Sequence, residues 1–334
     1  MKEKLEAAKA VLEKHGQEQL LANYEKLSEN DKDKLLDDIL TIDFNQLEKL
    51  FEKRNFKQVY SEAEIEPISY VEKDKIEDLA IGSVKNLLEH TNFSIKNVGI
   101  IVVATTSTSK LMPGISFAIQ KYFSIDNCLC LDILAGCSGY INAFDIVRKY
   151  IALGEVEYGL VIGADVLSKY VDHKDINTAV LLGDGAGATL IGKTDTQKKY
   201  ASFIESDWRD NEILTCATDE KIFMDGKKIY KFGTTRTVQN LRQLLEITGE
   251  KLDDIAYIIP HQSNLRMLES ICNKLNIPME KMYINLERVG NTFCASIPIA
   301  LTEMYEKNIL NKKDKVIFIG YGGGLNLGSI LCEI

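Results

Sequence analysis

The 334-residue chain has one tryptophan, four histidines and five prolines. It has no apolar run near the ~18 residues that a membrane-spanning helix needs. The first residues, MKEKLEAAKAVLEKHG, hold no apolar leader core, so a cytoplasmic protein without a membrane partner is expected. Basic charge is also short: 40 Lys and Arg stand against 49 Asp and Glu, a formal charge of −9. That balance argues against a general nucleic-acid partner, which would show a basic footprint. The seven cysteines are odd in number and lack framework spacing, so free thiols in a reducing compartment are expected. Cysteines and histidines also lack zinc-ligand spacing, and no metal is expected. What remains is an ordinary globular balance, 45% hydrophobic and 27% charged, in a chain long enough to fold without staples.

Three segments are legible: residues 1–54, 55–195 and 196–334. The first is dense in Lys, Glu, Asp and Leu, with no proline and one glycine. Leu20, Leu21, Tyr24 and Leu27 recur at helical spacing, as do Leu47, Leu50 and Phe51. Ser28 followed by Asp31 marks a helix start, so two or three amphipathic helices are expected. The stretch QEQLLANYEKLSENDKDKLLDDILTIDFNQLEKLFEK resembles the N-terminal helical segment of UDP-sugar pyrophosphorylases. That likeness carries no catalytic motif and implies packing or docking. From about residue 57, β-rich runs at 98–103, 157–162, 180–192, 255–259 and 315–319 alternate with helical stretches, which predicts helices packed on buried sheets.

A weak internal repeat runs through this part. A helix at 76–88 leads to VGIIVVATT, and a helix at 237–247 leads to IAYIIPHQ. Cys137 lies 33 residues after Ala104, and Asn291 lies 30 after His261. Each half closes on a strand ending in glycine, EYGLVIGAD and KVIFIGYGGG, which suggests a pseudo-twofold with a shared site. Cys137, in LDILAGCSGY, falls between a strand at 129–135 and a helical run at 138–151. A helix N-terminus favours thiolate and oxyanion. Buried-core roles suit Cys128, Cys130, Cys272, Cys294 and Cys332, and His15, His90 and His173 read as surface groups. His261 ends a strand and Asn291 starts a helix; singly, each would pass for a structural residue. The run Gly183-Asp184-Gly185-Ala186-Gly187 enters a strand rather than a helix, so it is no dinucleotide fingerprint, and no P-loop lysine follows.

Together, IIVVATTS, DILAGCSGY, LLGDGAGATLIG, IIPHQSNLR, RVGNTFCASIP and GYGGGLNLGS resemble the 3-oxoacyl-ACP synthase III family, in order, over residues 66–334. The resemblance implies a thiolase-like α/β fold of two pseudo-symmetric halves in α-β-α-β-α layers, with the N-terminal helices added. It implies an acyltransferase that initiates fatty-acid synthesis: Cys137 takes an acyl group from acyl-CoA, and malonyl-ACP then condenses with loss of CO₂. His261 and Asn291 would hold the thioester oxygen, with Asn264 in support, and the backbone of Cys137 and Gly323 would form the oxyanion hole. A homodimer is implied, with Met112 reaching the partner subunit's acyl pocket. Arg266, Lys231 and Lys274 match positions facing the carrier protein. No cofactor is implied, because CoA and ACP thioesters are the substrates. HMG-CoA synthases, which use a glutamate where Thr106 stands, and chalcone-synthase-like enzymes match less well.

Two family features are missing: an initial strand of the type I-x-G-x-G-x-x-x-P, and the Trp and Arg that hold the CoA adenine. The single tryptophan is Trp208. Lys169 stands where an adenine-contacting Arg is frequent, and Lys227 where Asn is frequent. Residues 55–70 could supply a substitute strand, the helices could cover the edge, or the reading frame could be a fusion with impaired folding. Two alternatives therefore stand beside the leading reading: a specialised ketosynthase or acyltransferase loaded from a carrier protein, and a non-catalytic paralogue serving as a dimer partner.

Overall fold

The computed structural model describes residues 2–22, 24–42, 44, 76–172, 174–196, 198–217 and 220–334. The chain divides into two compact units, Met1–Val71 and Glu72–Ile334. The expected boundary at 54/55, the Leu47–Phe51 periodicity and the substitute strand at 55–70 lie outside the described residues.

In the first unit, helices α1 (Lys2–Lys14) and α2 (Glu29–Thr41) pack through Ala8, Leu12, Leu36 and Ile39. The expected start at Ser28 is present: its side chain accepts from the Asp31 N–H and caps α2. Lys4 bridges the helices to Asp33 and Asp37 at 2.9 Å each. The Leu20–Leu27 periodicity differs from expectation, forming two 3₁₀ turns, Glu18–Leu21 and Tyr24–Lys26. His15, expected at the surface, stacks on Phe44.

Among the described residues, the second unit has two four-stranded sheets and one two-stranded sheet. In the first, β1 (Ile100–Ala104) lies between parallel β2 (Leu129–Ile133) and parallel β3 (Tyr158–Asp165), and β3 pairs antiparallel with β4 (Gly185–Gly192). In the second, the order is β5 (Tyr200–Ser206), β10 (Asn326–Glu333), β9 (Lys315–Gly322) and β8 (Tyr257–Pro260), with β8 parallel to β9 and the other pairs antiparallel. The two-stranded sheet pairs β6 (Leu214–Thr215) antiparallel with β7 (Phe223–Met224). The set β1–β3–β4 repeats as β8–β9–β10, and a bridge from Ile258 to Met282 stands where β2 stands on β1. The expected pseudo-twofold is borne out, and the 195/196 division falls between β4 and β5.

Side-chain alternation builds the layers. Ile100 and Val102 of β1, with Val316 and Phe318 of β9, enter a central core with the helices Gly139–Ala152 and Ser296–Glu306. Ile101 and Val103 turn outward to the helix Ile76–Glu89 and the helix Ile115–Phe123. Ile317, Ile319 and Tyr321 turn outward to the helices Gly226–Thr248 and Leu265–Leu275. The IIVVA run is continuous because β1 is buried on both faces. The layers are helix, sheet, helix, sheet, helix.

Two expectations shift. The β-rich run at 180–192 is a strand only from Gly185, because residues 181–183 bond instead to the Asn291 segment. The helix expected at 237–247 starts at Gly226 with Asp225 as its cap, its first turns masked by glycine and threonine.

Gly163, fully inside β3, faces the Phe293–Ala295 turn, where a Cβ would overlap the Cys294 carbonyl. Gly163→Ala is expected to lower the unfolding free energy by about 1–3 kcal/mol through overpacking. Gly82→Ala, in a helix with open space around it, is expected to be neutral or stabilising by up to about 1 kcal/mol. Urea unfolding of the two variants checks both.

Candidate functional site

The Cys137 turn is built by glycine. Gly136 has φ +57°, a left-handed conformation that suits glycine, and a Cβ there would lie 2.6 Å from the Gly323 carbonyl. Cys137 follows in the 3₁₀ turn Gly136–Ser138, just before the Gly139–Ala152 helix. Opposite, the inward face of β9 ends in Gly320 and Gly322. A Cβ on Gly322 would sit 2.7 Å from both Cβ and N of Cys137. Cys137 of the first half thus presses against bare backbone of the second.

The second half returns the arrangement. Asn291 is tied to the segment before β4 by its N–H to Leu181 O and by Gly183 N–H to its own carbonyl, at 2.8 and 3.0 Å. Its Oδ1 accepts from the Phe293 N–H at 3.1 Å, which leaves the Nδ2 hydrogens for the cavity. Phe293 holds φ +44°, a strained value for a bulky side chain, and this hydrogen bond helps hold it there. Cys294 links the two turns: its thiol donates to Gly136 O at 3.1 Å, and its N–H donates to Asp165 Oδ2 at 3.0 Å.

A cavity of about 310 Å³ collects Cys137, His261, Asn291, Asn264, Arg266 and Gly322. Its walls include Leu182, Ile222, Met224, Met267, Phe293 and Tyr321. The three expected reacting groups are only 3, 2 and 6% exposed for Cys137, His261 and Asn291. Burial, then the Asp165 charge, pushes the Cys137 thiol well above its ordinary range, while the N–H groups of Gly323 and Cys137 oppose the shift. Burial pushes His261 down to about 3, against a smaller opposing effect of the Phe293 carbonyl. At neutral pH the resting pair is therefore a thiol and a neutral imidazole.

The histidine tautomer follows from proton counting. The Ser296 hydroxyl donates to Phe293 O at 2.8 Å, and its oxygen lies 2.9 Å from His261 Nδ1. One hydroxyl proton cannot serve both contacts, so Nδ1 carries the ring proton and Nε2 is left for the cavity.

Asn264 lines the cavity, and the hydrogen bond it makes caps Leu265–Leu275 by accepting from Arg266 N–H at 3.0 Å. Arg266, Lys169, Lys227 and Lys231 are exposed. The Lys274 ammonium donates to Thr234 O and Oγ1, both at 3.0 Å, and shares a groove with Arg266. Met112 is 82% exposed and lies outside the cavity lining. Gly323 has its N–H at the Cys137 thiol. Of the cysteines expected in the core, Cys130, Cys272 and Cys294 are buried, and Cys128 and Cys332 are half-buried. His90 is exposed, and His173 lies outside the described residues. Among the described residues, no cluster of His, Cys, Asp and Glu could hold a metal ion.

Asp165 was not singled out in the sequence. Fully buried at the end of β3, its carboxylate accepts from Thr106 N, Thr106 Oγ1 and Ser107 Oγ at 2.7–2.9 Å, besides Cys294 N. Burial holds its carboxyl above the ordinary range against those donors. A lone acid closing an apolar strand, EYGLVIGAD, is the signal that could have found it. Ser296 had no such signal, since its partner is 35 residues away.

His261 also sets a pH dependence. Unfolded, it binds a proton below about 6.5; folded, only near 3. The unfolded chain therefore holds more protons between those values, and stability falls as pH drops through that window. The expected slope from this group is at most about 1.4 kcal/mol per pH unit. Urea unfolding at pH 7, 6, 5 and 4 checks it, with a flatter dependence expected for His261→Gln.

The C-terminal part, residues 245–334, matches the profile for the C terminal of 3-oxoacyl-[acyl-carrier-protein (ACP)] synthase III, and residues 131–211 match the companion profile of 3-oxoacyl-[acyl-carrier-protein (ACP)] synthase III. A beta-ketoacyl-[acyl-carrier-protein] synthase III of Clostridium novyi is 35% identical over 269 residues, covering 76% of this chain and 83% of that protein. The Clostridium botulinum strain 657 protein of the same name is 38% identical over 267 residues, covering 75% and 82%. The crystal structure of 3-oxoacyl-[acyl-carrier-protein] synthase III from Aquifex aeolicus superposes with a TM-score of 0.77 at 33% identity, covering 79% of this chain and 86% of that one. The glycine-lined turn, the Cys/His/Asn cavity and the paired α/β halves are thus found in a chain that belongs to the 3-oxoacyl-ACP synthase III family, within the thiolase superfamily.

Proposed function

We propose that this enzyme, a condensing acyltransferase of fatty-acid synthesis, joins an acyl primer carried on CoA to malonyl-ACP through an acyl group on Cys137. The observation that carries the reading is the convergence of Cys137, His261 and Asn291 on one buried cavity beside the Gly322–Gly323 backbone.

In the first half-reaction, the thiol attacks the acyl thioester carbonyl, whose oxygen sits against the N–H groups of Cys137 and Gly323. The neutral Nε2 of His261 takes the thiol proton. The C–S bond to CoA breaks, and the proton leaves on the CoA thiol. The helix N-terminus behind Cys137 and the dry walls strengthen each of these electrostatic contacts.

In the second half-reaction, His261 takes up a proton from solvent on Nε2 as the malonyl carboxylate enters, favoured by that negative charge and against its burial. The malonyl C–C bond breaks, CO₂ departs, and its electron pair becomes an enolate held by Nε2–H and by Asn291 Nδ2–H. The α-carbon attacks the acyl carbonyl on Cys137. The C–S bond breaks, and the cysteine thiolate takes the proton from His261. The thioesters themselves supply the reactive groups, so this chemistry calls for no cofactor. A cytoplasmic location fits it, since Cys137 must stay reduced.

A homodimer is part of the proposal. Among the described residues, β2 is an outer strand of its sheet; Leu134, just after it, is 73% exposed, and Leu111 and Met112, shortly before the Ile115 and Ser116 N–H groups that bond Asp132 of β2, are 90 and 82% exposed. An open strand edge beside apolar side chains suits a second copy, which would bring Met112 to the partner subunit's cavity. Arg266, Lys227, Lys231 and Lys169 would meet the acidic carrier or the CoA phosphates. Loading from a carrier protein remains the second reading, because Trp208, the only tryptophan, lies just beyond β5 rather than in an N-terminal clamp.

Cys137→Ala is expected to abolish acyl transfer. Asn291→Ala is expected to slow condensation by about 10²–10³-fold while leaving loading within severalfold of normal. Separate assays of acyl loading and malonyl-dependent CO₂ release check this, and normal loading in Cys137→Ala would refute it. Light scattering should give twice the chain mass, with Leu134→Asp shifting it toward the monomer.

A further inference from the structure

Strand β9 does two things at once. Its inward glycines touch the Cys137 turn, while Tyr321, one residue before Gly322, turns outward against the helices of the second half. There Tyr321 packs on Gly233, where a Cβ would lie 2.7 Å from its ring, and its hydroxyl lies 4.0 Å from Met267 Sδ. Its ring meets the His261 ring edge to face, with centroids 5.7 Å apart. The phenol is 3% exposed and hydrogen-bonds to the Ser263 hydroxyl, itself 7% exposed. Ser263 in turn donates its N–H to His261 O at 2.9 Å. Both side chains line the cavity that holds Cys137.

We propose that the Tyr321–Ser263 hydrogen bond is a positioning clamp, fixing the Gly322–Gly323 backbone of β9 relative to the His261 loop. This rests on the proposed condensation and adds two positioning residues to it. The reasoning is geometric. The oxyanion N–H of Gly323 and the ring of His261 arrive on different segments, β9 and the loop after β8. The β8–β9 ladder joins the two segments up to the His261 N–H, which donates to Ile319 O at 2.7 Å; beyond that point, the buried Tyr321–Ser263 bond ties the residue preceding Gly322 to the residue two beyond His261. If that bond is lost, the Gly323 N–H is free to drift from the Cys137 sulfur, and Nε2 from the thioester oxygen. A buried hydroxyl left alone in this wall would worsen the drift.

Burial holds the Tyr321 phenol above its ordinary range, so it remains a hydroxyl throughout the working pH range. Tyr321→Phe and Ser263→Ala delete one hydroxyl apiece, each leaving the other buried without this bond, and the double variant removes both. The two changes form a cycle with the double variant.

The primary readout is the pH profile of Cys137 alkylation by iodoacetamide, followed by intact mass, because it needs no acyl substrate. With the Gly323 N–H loosened, each single variant is expected to alkylate about threefold more slowly at pH 8, with its profile displaced to higher pH. The double variant should be no slower than the slower single, and Ser263→Thr, which keeps the hydroxyl, should restore the wild-type profile. The second readout is condensation, where kcat should fall about tenfold with KM within twofold. Wild-type profiles in both single variants, or single effects that multiply in the double, would overturn the clamp. If the wild type takes no acyl group from acyl-CoA or acyl-ACP, the proposed function fails, while the alkylation cycle still decides the clamp.

Discussion

Cys137 can stand at the meeting of two halves because the strand facing it has no side chains at that point. Gly322 and Gly320 line the inward end of β9, and the Cys137 turn packs onto their backbone. The same solution recurs across the pseudo-twofold, where Gly163 of β3 receives the Phe293–Ala295 turn that follows Asn291. Each half supplies a turn, one carrying Cys137 and one following Asn291, and a bare strand to receive the other half's turn. The shared layer of helices between the sheets holds this exchange in place.

Close packing also sets the electrostatics. Burial pushes the Cys137 thiol up and the His261 imidazole down, which favours the neutral form of each at rest. The groups that respond are already aimed: backbone N–H groups at the sulfur, Asn291 by its bond to Phe293, and His261 by Ser296. Asp165 takes no part in bond making in this account. It fastens the end of β1 to the Cys294 turn with hydrogen bonds across both halves, and so fixes where Asn291 begins.

Much of this was legible in the sequence because small residues flank the reactive ones. LAGCSGY marks a strand-to-helix turn with room for close approach, and YIIPHQ marks a buried strand ending in a titratable group. The continuous IIVVA run announced a strand buried on both faces. What stayed hidden depends on distance or on local ambiguity. Ser296 is recognisable only once His261 is beside it, and Asp165 only once two distant segments, Thr105–Ser107 and the Cys294 turn, converge on it. The start of the Gly226–Thr248 helix was obscured because Gly226, Gly233 and Thr234–Thr235 weaken the helical signal that its Asp225 cap restores. Between Leu20 and Leu27, helical spacing was satisfied by two 3₁₀ turns, whose period differs little over so few residues.

The central claim is that one cysteine at the junction of the halves carries the acyl group between two substrates. It is tested most directly by a pulse and chase. The protein is loaded from acetyl-CoA or acyl-ACP, digested and mapped by mass spectrometry, and a parallel sample is chased with malonyl-ACP. The account predicts a single acyl group on the peptide containing Cys137, cleared by malonyl-ACP with release of one CO₂ per acyl group. An acyl group on another residue, or one that persists through the chase in folded protein, would contradict it.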